Sequence, residues 1–233
     1  MLENRLFYYN PVSINETTRK FFHYLQTLHL YKHDDPTFEN DPKIIARKEW
    51  KHGNLWHNQK EQLEEWTKLK CGEVLFNSDV DDWGMNTSVF GDRVVERRNL
   101  IFVIEDTENN KFGYYLNTKI SRIGTSISDE FAFVFTLENN GRLKEGNGMM
   151  KYETKVEEWN CWIHDKDKNT LAGLGCGHTI CLRKSQEKDA SFYEQIDDKF
   201  DYHGTKDVVL GRRNPEGLPT RFTPKRIVVI QMN

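Results

Sequence analysis

The sequence predicts a mainly β (α+β) fold, namely a two-sheet antiparallel β-sandwich with flanking helices and a helical N-terminal extension. Near residue 73 the spacing of apolar residues changes from that of a helix to the period of two that is typical of strands. Short β-branched or aromatic runs then follow one another, separated by polar turns such as 108–110 and 139–141. Glycines stand at alternate positions within residues 171–183. Together these observations favour short antiparallel strands packed as a sandwich.

The first third of the chain is predicted to be helical. Ser13 and Glu16 form a capping box for residues 13–31, where apolar residues recur at helical spacing. An aspartate followed by proline at residues 41–42 begins a second helix, and Asn54 caps a third. An apolar stripe on this third helix is expected to dock the helices onto the following domain, and its members are Trp56, Leu63, Trp66 and Leu69.

The remainder of the chain is predicted to form strands, with one short helix among them. We therefore divide the chain into a helical extension, residues 1–61, and a β-sandwich domain, residues 62–233. The predicted strands are 74–76, 99–105, 112–116, 131–137, 150–156, 159–163, 170–183 and 226–232. The short helix spans 86–97, and its inward-facing residues are expected to be Val89, Phe90, Val94 and Val95.

The glycines at 173, 175 and 177 are interpreted as a packing device. Alternate glycines remove the side chains from one face of a strand, which allows another backbone or a large aromatic ring to approach it. The spacing of Cys176, His178 and Cys181 resembles part of a zinc site, but on one extended strand Cys181 would point away from the other two. We therefore expect core residues here, with no metal and no cofactor.

Other chemistry-bearing patterns are incomplete. The aspartate-rich segments that begin at Asp79 and Asp165 resemble calcium loops, but Phe90 and Cys176 stand where the bidentate glutamate is required. We interpret the first segment as a turn whose aspartates cap the short helix and the second as a hairpin loop. The sequence contains neither a nucleophile elbow nor a phosphate-binding loop. These observations predict a protein that is not an enzyme.

Composition restricts the cellular context. The formal net charge is -3, which is too small to indicate a dedicated polyanion binder. The four cysteines show no disulfide-scaffold spacing and indicate a reducing compartment. The chain has no apolar run of membrane-spanning length and no secretory signal at its beginning. We expect a cytoplasmic protein without membrane insertion, with the nucleus as an open alternative.

Several ordered blocks carry a family resemblance over about residues 62–232: 71–83, 90–98, 99–105, 111–115, 131–137, the glycine segment 171–183, and 225–232. With these blocks the sequence resembles the TLDc domain family, in particular its shorter, divergent members related to oxidation-resistance proteins. Two segments depart from the family. Residues 184–204 replace a Gly-x-Ser-x-x-Cys-x-Thr-Phe turn, and 230–232 replace a closing Glu-x-Trp, so roles tied to those family residues are not carried over.

The resemblance implies a β-sandwich with a few flanking helices, and it implies protection against oxidative stress. For several family members it also implies binding to the vacuolar proton pump (V-ATPase). It supplies no catalytic residues. The expected function is therefore that of a non-enzymatic stress-response protein that acts by binding a protein partner, with regulation of the vacuolar proton pump as one form of that activity.

The first alternative is a sequence-specific DNA-binding transcriptional regulator that responds to oxidative stress. Two basic groups with nearby aromatic residues would hold phosphates and stack bases if they faced the same way. The first group contains Lys43, Arg47, Lys48 and Lys51, and the second contains Lys206, Arg212, Arg213, Arg221, Lys225 and Arg226. The other interpretation is that the two basic groups lie on separate solvent-exposed surfaces and bind no shared ligand.

The second alternative is a cysteine redox sensor. Such a sensor needs an exposed thiol with a lowered pKa. The candidates are Cys161, between Asn160 and Trp162, and Cys71, at the end of a predicted helix. Buried, unreactive cysteines are the competing interpretation.

Overall fold

A computed structural model describes residues 57–139, 148–156, 160–176, 178–212, 216 and 218–233. Within these residues the chain forms two antiparallel six-stranded sheets, which confirms the predicted β-sandwich. The helices predicted before residue 57 lie outside the described residues, as do the basic residues at 43–51.

The first sheet contains the long strands of the fold. Numbered in chain order, they are β1 (Cys71–Asn77), β2 (Leu100–Asp106), β3 (Asn110–Leu116), β5 (Phe133–Asn139), β6 (Met150–Glu153) and β12 (Pro224–Met232). Their order across the sheet is β1-β12-β2-β3-β5-β6. The last strand of the chain therefore lies between the first two, and this pairing joins the two ends of the domain.

The second sheet is built from shorter strands. They are β4 (Ser126–Ile127), β7 (Cys161–Ile163), β8 (Thr170–Leu174), β9 (Ile180–Arg183), β10 (Phe192–Tyr193) and β11 (Thr220–Arg221), in the order β11-β10-β9-β8-β7-β4. The sequence pattern did not predict β4, β10 and β11, because two residues are too few to show a period.

The main core lies between the two sheets, and a second core lies on the other face of the first sheet. Along β2, Phe102 belongs to the main core, whereas the neighbouring Ile101 belongs to the second. The helix α1 (His57–Thr67) covers the second core with Leu63 and Trp66, both of which pack there. The ring centroid of Trp66 lies 6.2 Å from that of Phe133, so the predicted docking role is confirmed for Trp66. Burial on both faces explains why β2 is apolar without alternation.

The short helix is confirmed but is smaller than predicted. The helix α2 spans Phe90–Val94, and its two buried residues are Phe90 and Val94. Asn86 and Glu96 have φ angles of 66° and 63°, in the left-handed region, so the helix cannot extend over either of them. Val95 is only half-buried.

The predicted single strand 170–183 is wrong. The chain forms β8, turns, and returns as β9, which pairs antiparallel with β8. Gly175 has a φ of +82° in this turn, and its carbonyl accepts a hydrogen bond from His178 N at 3.1 Å. A positive φ is accessible to glycine at little cost, so Gly175 ends the strand instead of thinning it. Cys176, His178 and Cys181 therefore do not share one extended segment.

Two strand ends also differ from the prediction. The strand predicted at 131–137 begins at Phe133, and Phe131 is 62% exposed. The strand predicted at 150–156 ends at Glu153.

Candidate functional site

A row of side chains crosses the outer face of the second sheet, the face that points away from the sandwich core. Cross-strand pairing places Trp162 opposite Gly173 and Gly173 opposite Cys181. The row continues from Cys181 to Phe192 and from Phe192 to Arg221. The flanking residues in β7 and β9 belong to the main core, so alternation along each strand turns this row outward. We call this surface the outer face.

Three rings form a stack on the outer face. The indole of Trp162 stacks on the imidazole of His164, with ring centroids 5.7 Å apart and an interplanar angle of 24°. The His164 ring lies 5.6 Å from that of His178. His178 reaches this place because Gly173 beneath it has no side chain, which confirms the predicted close approach to that glycine. We call Trp162, His164 and His178 the Trp-His stack.

Arg183 lies beside the Trp-His stack. Its Nη1 donates hydrogen bonds to Asn169 Oδ1 at 2.9 Å and to Thr170 Oγ1 at 2.6 Å. Its Nε is buried and has no acceptor among the described residues. Within the same residues, no carboxylate forms an ion pair with Arg183. Arg183 is thus a guanidinium fixed by neutral partners.

Both histidines of the stack are neutral at pH 7. Burial, followed by the nearby His178 and Arg183, lowers the pKa of His164 to about 4. Burial and then Arg183 lower the pKa of His178 as well. The Nε2 atom of His164 is buried without a hydrogen-bond partner in the described part of the chain. The stack therefore presents uncharged rings next to one positive charge.

A cleft of about 500 Å³ adjoins His164, between α2 and the loop that joins β7 to β8. Lys184 lines it but is only 2% exposed. The Lys184 ammonium donates to the carbonyl oxygens of Asp165 at 3.0 Å and Lys166 at 2.5 Å. Burial lowers the pKa of Lys184. Because its donors are directed at backbone oxygens, Lys184 fixes the loop and thereby the position of His164.

The second predicted basic group is divided by ion pairs. Arg212 Nη2 lies 2.6 Å from Glu108 Oε1. Arg226 Nε lies 2.5 Å from Asp79 Oδ2, and its Nη1 lies 3.6 Å from Glu105. Each of these arginines therefore has a carboxylate partner. The remaining described members are exposed, and they are Lys206, Arg221 and Lys225. Lys43, Arg47, Lys48, Lys51 and Arg213 lie outside the described residues.

The two candidate redox cysteines lack the lowered pKa that the sequence hypothesis requires. Cys161 is 2% exposed and belongs to the main core, where burial raises the pKa of its thiol. Cys71 is half-buried, and burial followed by the charge of Glu64 raises its pKa to about 11. Both thiols are therefore protonated at neutral pH, which disfavours reaction as thiolates.

The aspartates of the first calcium-like segment hold turns. Asp81 Oδ2 accepts a hydrogen bond from Asn77 N at 2.9 Å, and Asp82 Oδ1 accepts one from Gly84 N at 2.8 Å. The prediction that they cap the short helix is wrong, because Ser88 Oγ accepts the hydrogen bond from the first helical residue, Phe90. The second segment lies between β7 and β8 and is the predicted hairpin loop. In the described ranges, no group of three or more His, Cys, Asp or Glu residues could hold a metal ion.

Sequence reasoning missed the outer face. Trp162, Arg183 and Phe192 were not predicted as site residues, although Trp162 stands between the core residues Cys161 and Ile163. That alternation was the available signal, since a tryptophan between two inward-facing residues must point outward. The sequence carried no signal for which residues lie beside Trp162 on neighbouring strands, because that pairing depends on the turn at Gly175.

No helix in the described ranges is long and apolar enough to cross a membrane.

Comparison with known proteins places the chain in a family. A comparison with the curated proteins found no match. The model of the TLDc domain family matches residues 38–214, which is more than half of the chain and includes most of both sheets. The chain therefore belongs to the TLDc domain family.

Proposed function

We propose that this TLDc protein is a non-enzymatic regulator in the oxidative-stress response that acts by binding a protein partner through the outer face. One observation carries the proposal. The first sheet is buried on both faces, by the main core and by the core under α1, whereas the outer face of the second sheet bears the half-buried Trp162, Arg183 and Phe192. Aromatic residues and arginine are enriched at the energetic centres of protein interfaces.

The chemistry of the outer face suits binding. The imidazoles of the Trp-His stack are neutral, so a partner can cover them without removing a charge from water. Cys181, at the centre of the row, is 2% exposed, and burial raises the pKa of its thiol. A rigid sheet also holds these side chains at fixed spacing, which reduces the entropy that is lost on association.

Family membership supports the proposed biological role. The chain belongs to the TLDc domain family, and the family resemblance implies protection against oxidative stress. The vacuolar proton pump is the partner that we propose first. This role assigns the protein to the cytoplasm. A nuclear location belongs to the DNA-binding alternative, for which the ion pairs of Arg212 and Arg226 leave less free positive charge than the sequence suggested.

The test is a titration of the purified full chain onto purified vacuolar proton pump, with complex formation and ATP hydrolysis as readouts. W162A and, as a second variant on the same face, F192A should each weaken binding by about tenfold or more. K151Q, on β6 of the first sheet, is the matched control and should bind like the wild type. Thermal unfolding of each variant verifies that it is folded.

The possible results separate the two parts of the proposal. Equal binding by W162A, F192A and K151Q would refute the outer face as the binding surface. Absence of binding by the wild-type chain would remove the proton pump as the partner.

A further inference from the structure

We propose that Arg183 is the anchor of the outer face for a carboxylate, and that the segment docking there is an extended acidic stretch of the protein partner. This inference rests on the proposed function, because it specifies the chemistry of the partner that the outer face receives. The proposed function is tested at Trp162 and Phe192, so a failure at Arg183 alone leaves it standing.

The hydrogen bonds and burial of Arg183 leave Nη2 of its guanidinium for a ligand. Asn169 and Thr170 occupy Nη1, and both supply neutral acceptors. Nη2 has no hydrogen-bond partner in the described part of the chain, so it can donate a charge-assisted hydrogen bond to a carboxylate. Nε is buried, so a ligand reaches Nη2 and not Nε. A carboxylate on Nη2 would pair with a guanidinium charge that its neutral partners leave uncompensated.

The surroundings of Arg183 favour a single carboxylate over a polyphosphate. The Trp-His stack forms an uncharged aromatic wall on one side. Asn169, the partner of Arg183 Nη1, donates from Nδ2 to Glu187 Oε2 at 2.9 Å, so one carboxylate belongs to the same hydrogen-bonded group. This carboxylate repels a densely charged phosphate backbone more strongly than it repels one carboxylate.

A second arginine on the outer face indicates how the acidic stretch is oriented. Arg221 lies two strands away from β9, in the row that contains Cys181, and has no carboxylate partner in the described part of the chain. From a strand spacing of about 4.8 Å and a rise of about 3.4 Å per residue, the Cα atoms of Arg183 and Arg221 are about 12 Å apart. Residues i and i+4 of an extended peptide span about 13 Å and point to the same side. Acidic residues at alternate positions would therefore reach both arginines.

The Trp-His stack provides a spectroscopic signature. In the free protein, burial and then the charges of His178, Arg183 and Lys184 lower the pKa of His164, and Asp165 raises it. Burial and then Arg183 lower the pKa of His178. A carboxylate bound to Arg183 offsets this positive charge and places a negative charge beside the rings. The pKa of both histidines should then rise, by about 0.5 to 1.

The experiment uses the full chain with three probes: a peptide of alternating glutamate and alanine, the same peptide with glutamine for glutamate, and inorganic phosphate. Affinity is measured by calorimetry, and the pKa values of His164 and His178 by NMR titration. The glutamate peptide should bind and raise both pKa values, whereas the glutamine peptide should do neither. R183Q should abolish the shift and weaken binding about tenfold, and R183K, which keeps the charge but not the planar guanidinium, should lie between.

Each outcome decides the inference. Equal binding of the two peptides, or an unchanged affinity in R183Q with K151Q as the matched control, would overturn the carboxylate anchor. If inorganic phosphate produced the same pKa shifts at a lower concentration than the glutamate peptide, the proposal that the bound anion is a protein segment would be overturned. If partner binding depends on Trp162 but not on Arg183, the proposed function stands and this inference fails. If the peptide binds Arg183 but no protein partner depends on Trp162, the proposed function fails instead.

Discussion

The imidazole of His178 lies over Gly173, so close that a Cβ atom on residue 173 would fall 1.6 Å from His178 Cδ2. Real Cβ atoms do not approach other atoms so closely. This contact joins the turn after β8 to the face of β8 itself, and it positions His178 against His164. The glycine is therefore required by the Trp-His stack.

G173A should destabilise the protein, because the new methyl group must displace the His178 ring. We expect the free energy of unfolding to fall by about 1–3 kcal/mol, as measured by urea denaturation. In the H178A background, where the ring is absent, G173A should lower the free energy of unfolding by much less. G91A is the matched control, since its nearest neighbour, Ile123 Cδ1, would lie at 3.4 Å from the new Cβ. Equal losses from G173A in the two backgrounds would contradict this account.

The Trp-His stack should make stability depend on pH. Burial lowers the folded-state pKa of His164 from 6.5 to about 4. Above about pH 6.5 the histidine is neutral in both states, and below it the unfolded state binds the proton more readily. The free energy of unfolding should therefore fall as the pH is lowered from about 6.5 towards 4.

In H164Q this part of the pH dependence should be lost, as measured by urea midpoints between pH 4 and 7. H203N, at an exposed histidine that is not part of the Trp-His stack, is the comparison variant. The asparagine tolerates the positive φ of 52° at that position. A slope in H164Q identical to that of the wild type would show that His164 is not the group responsible.

Lys184 should stabilise the loop that carries His164. K184M removes the donor of the Asp165 and Lys166 carbonyl oxygens while keeping the length of the side chain. We expect a loss of about 1–3 kcal/mol in the free energy of unfolding. K166M removes only an exposed ion pair with Asp92 and should change stability by less than about 1 kcal/mol. Equal effects of the two variants would contradict a structural role for Lys184.

Cys161 should not react in the folded protein. Its thiol is buried, and burial raises its pKa, so iodoacetamide or peroxide at neutral pH should leave it unmodified until denaturant is added. Mass spectrometry of labelled peptides measures this directly, with the half-exposed Cys176 as the internal comparison. Peroxide modification of native Cys161 or Cys71 would instead support the redox-sensor hypothesis.

DNA binding stays a prediction of the sequence, and a gel shift over a range of salt concentrations tests it. Because Arg212 and Arg226 are paired with carboxylates, we expect no shift that weakens steeply with salt. A steep salt dependence that is lost when Lys48, Lys51, Arg212 and Arg213 are reversed in charge would support the DNA-binding alternative.

The sequence by itself determined the architecture of the described domain. Short β-branched or aromatic runs between polar turns are a local property of the chain, so the runs around Phe102, Phe135 and Val228 were sufficient to predict strands. The apolar stripe at Trp66 predicted the docking helix for the same reason. Family membership was also readable, since it depends on ordered blocks and not on contacts.

Only the tertiary structure decided the site. The positive φ of Gly175 converts one expected strand into the pair β8 and β9, and this register brings Trp162 next to Gly173 and leaves room there for His178. The sequence also did not show that Arg183 lacks a carboxylate partner among the described residues. Such a partner depends on folding and not on spacing in the sequence. Local patterns specify strands, whereas cross-strand register and burial decide which side chains meet and which charges remain for a partner.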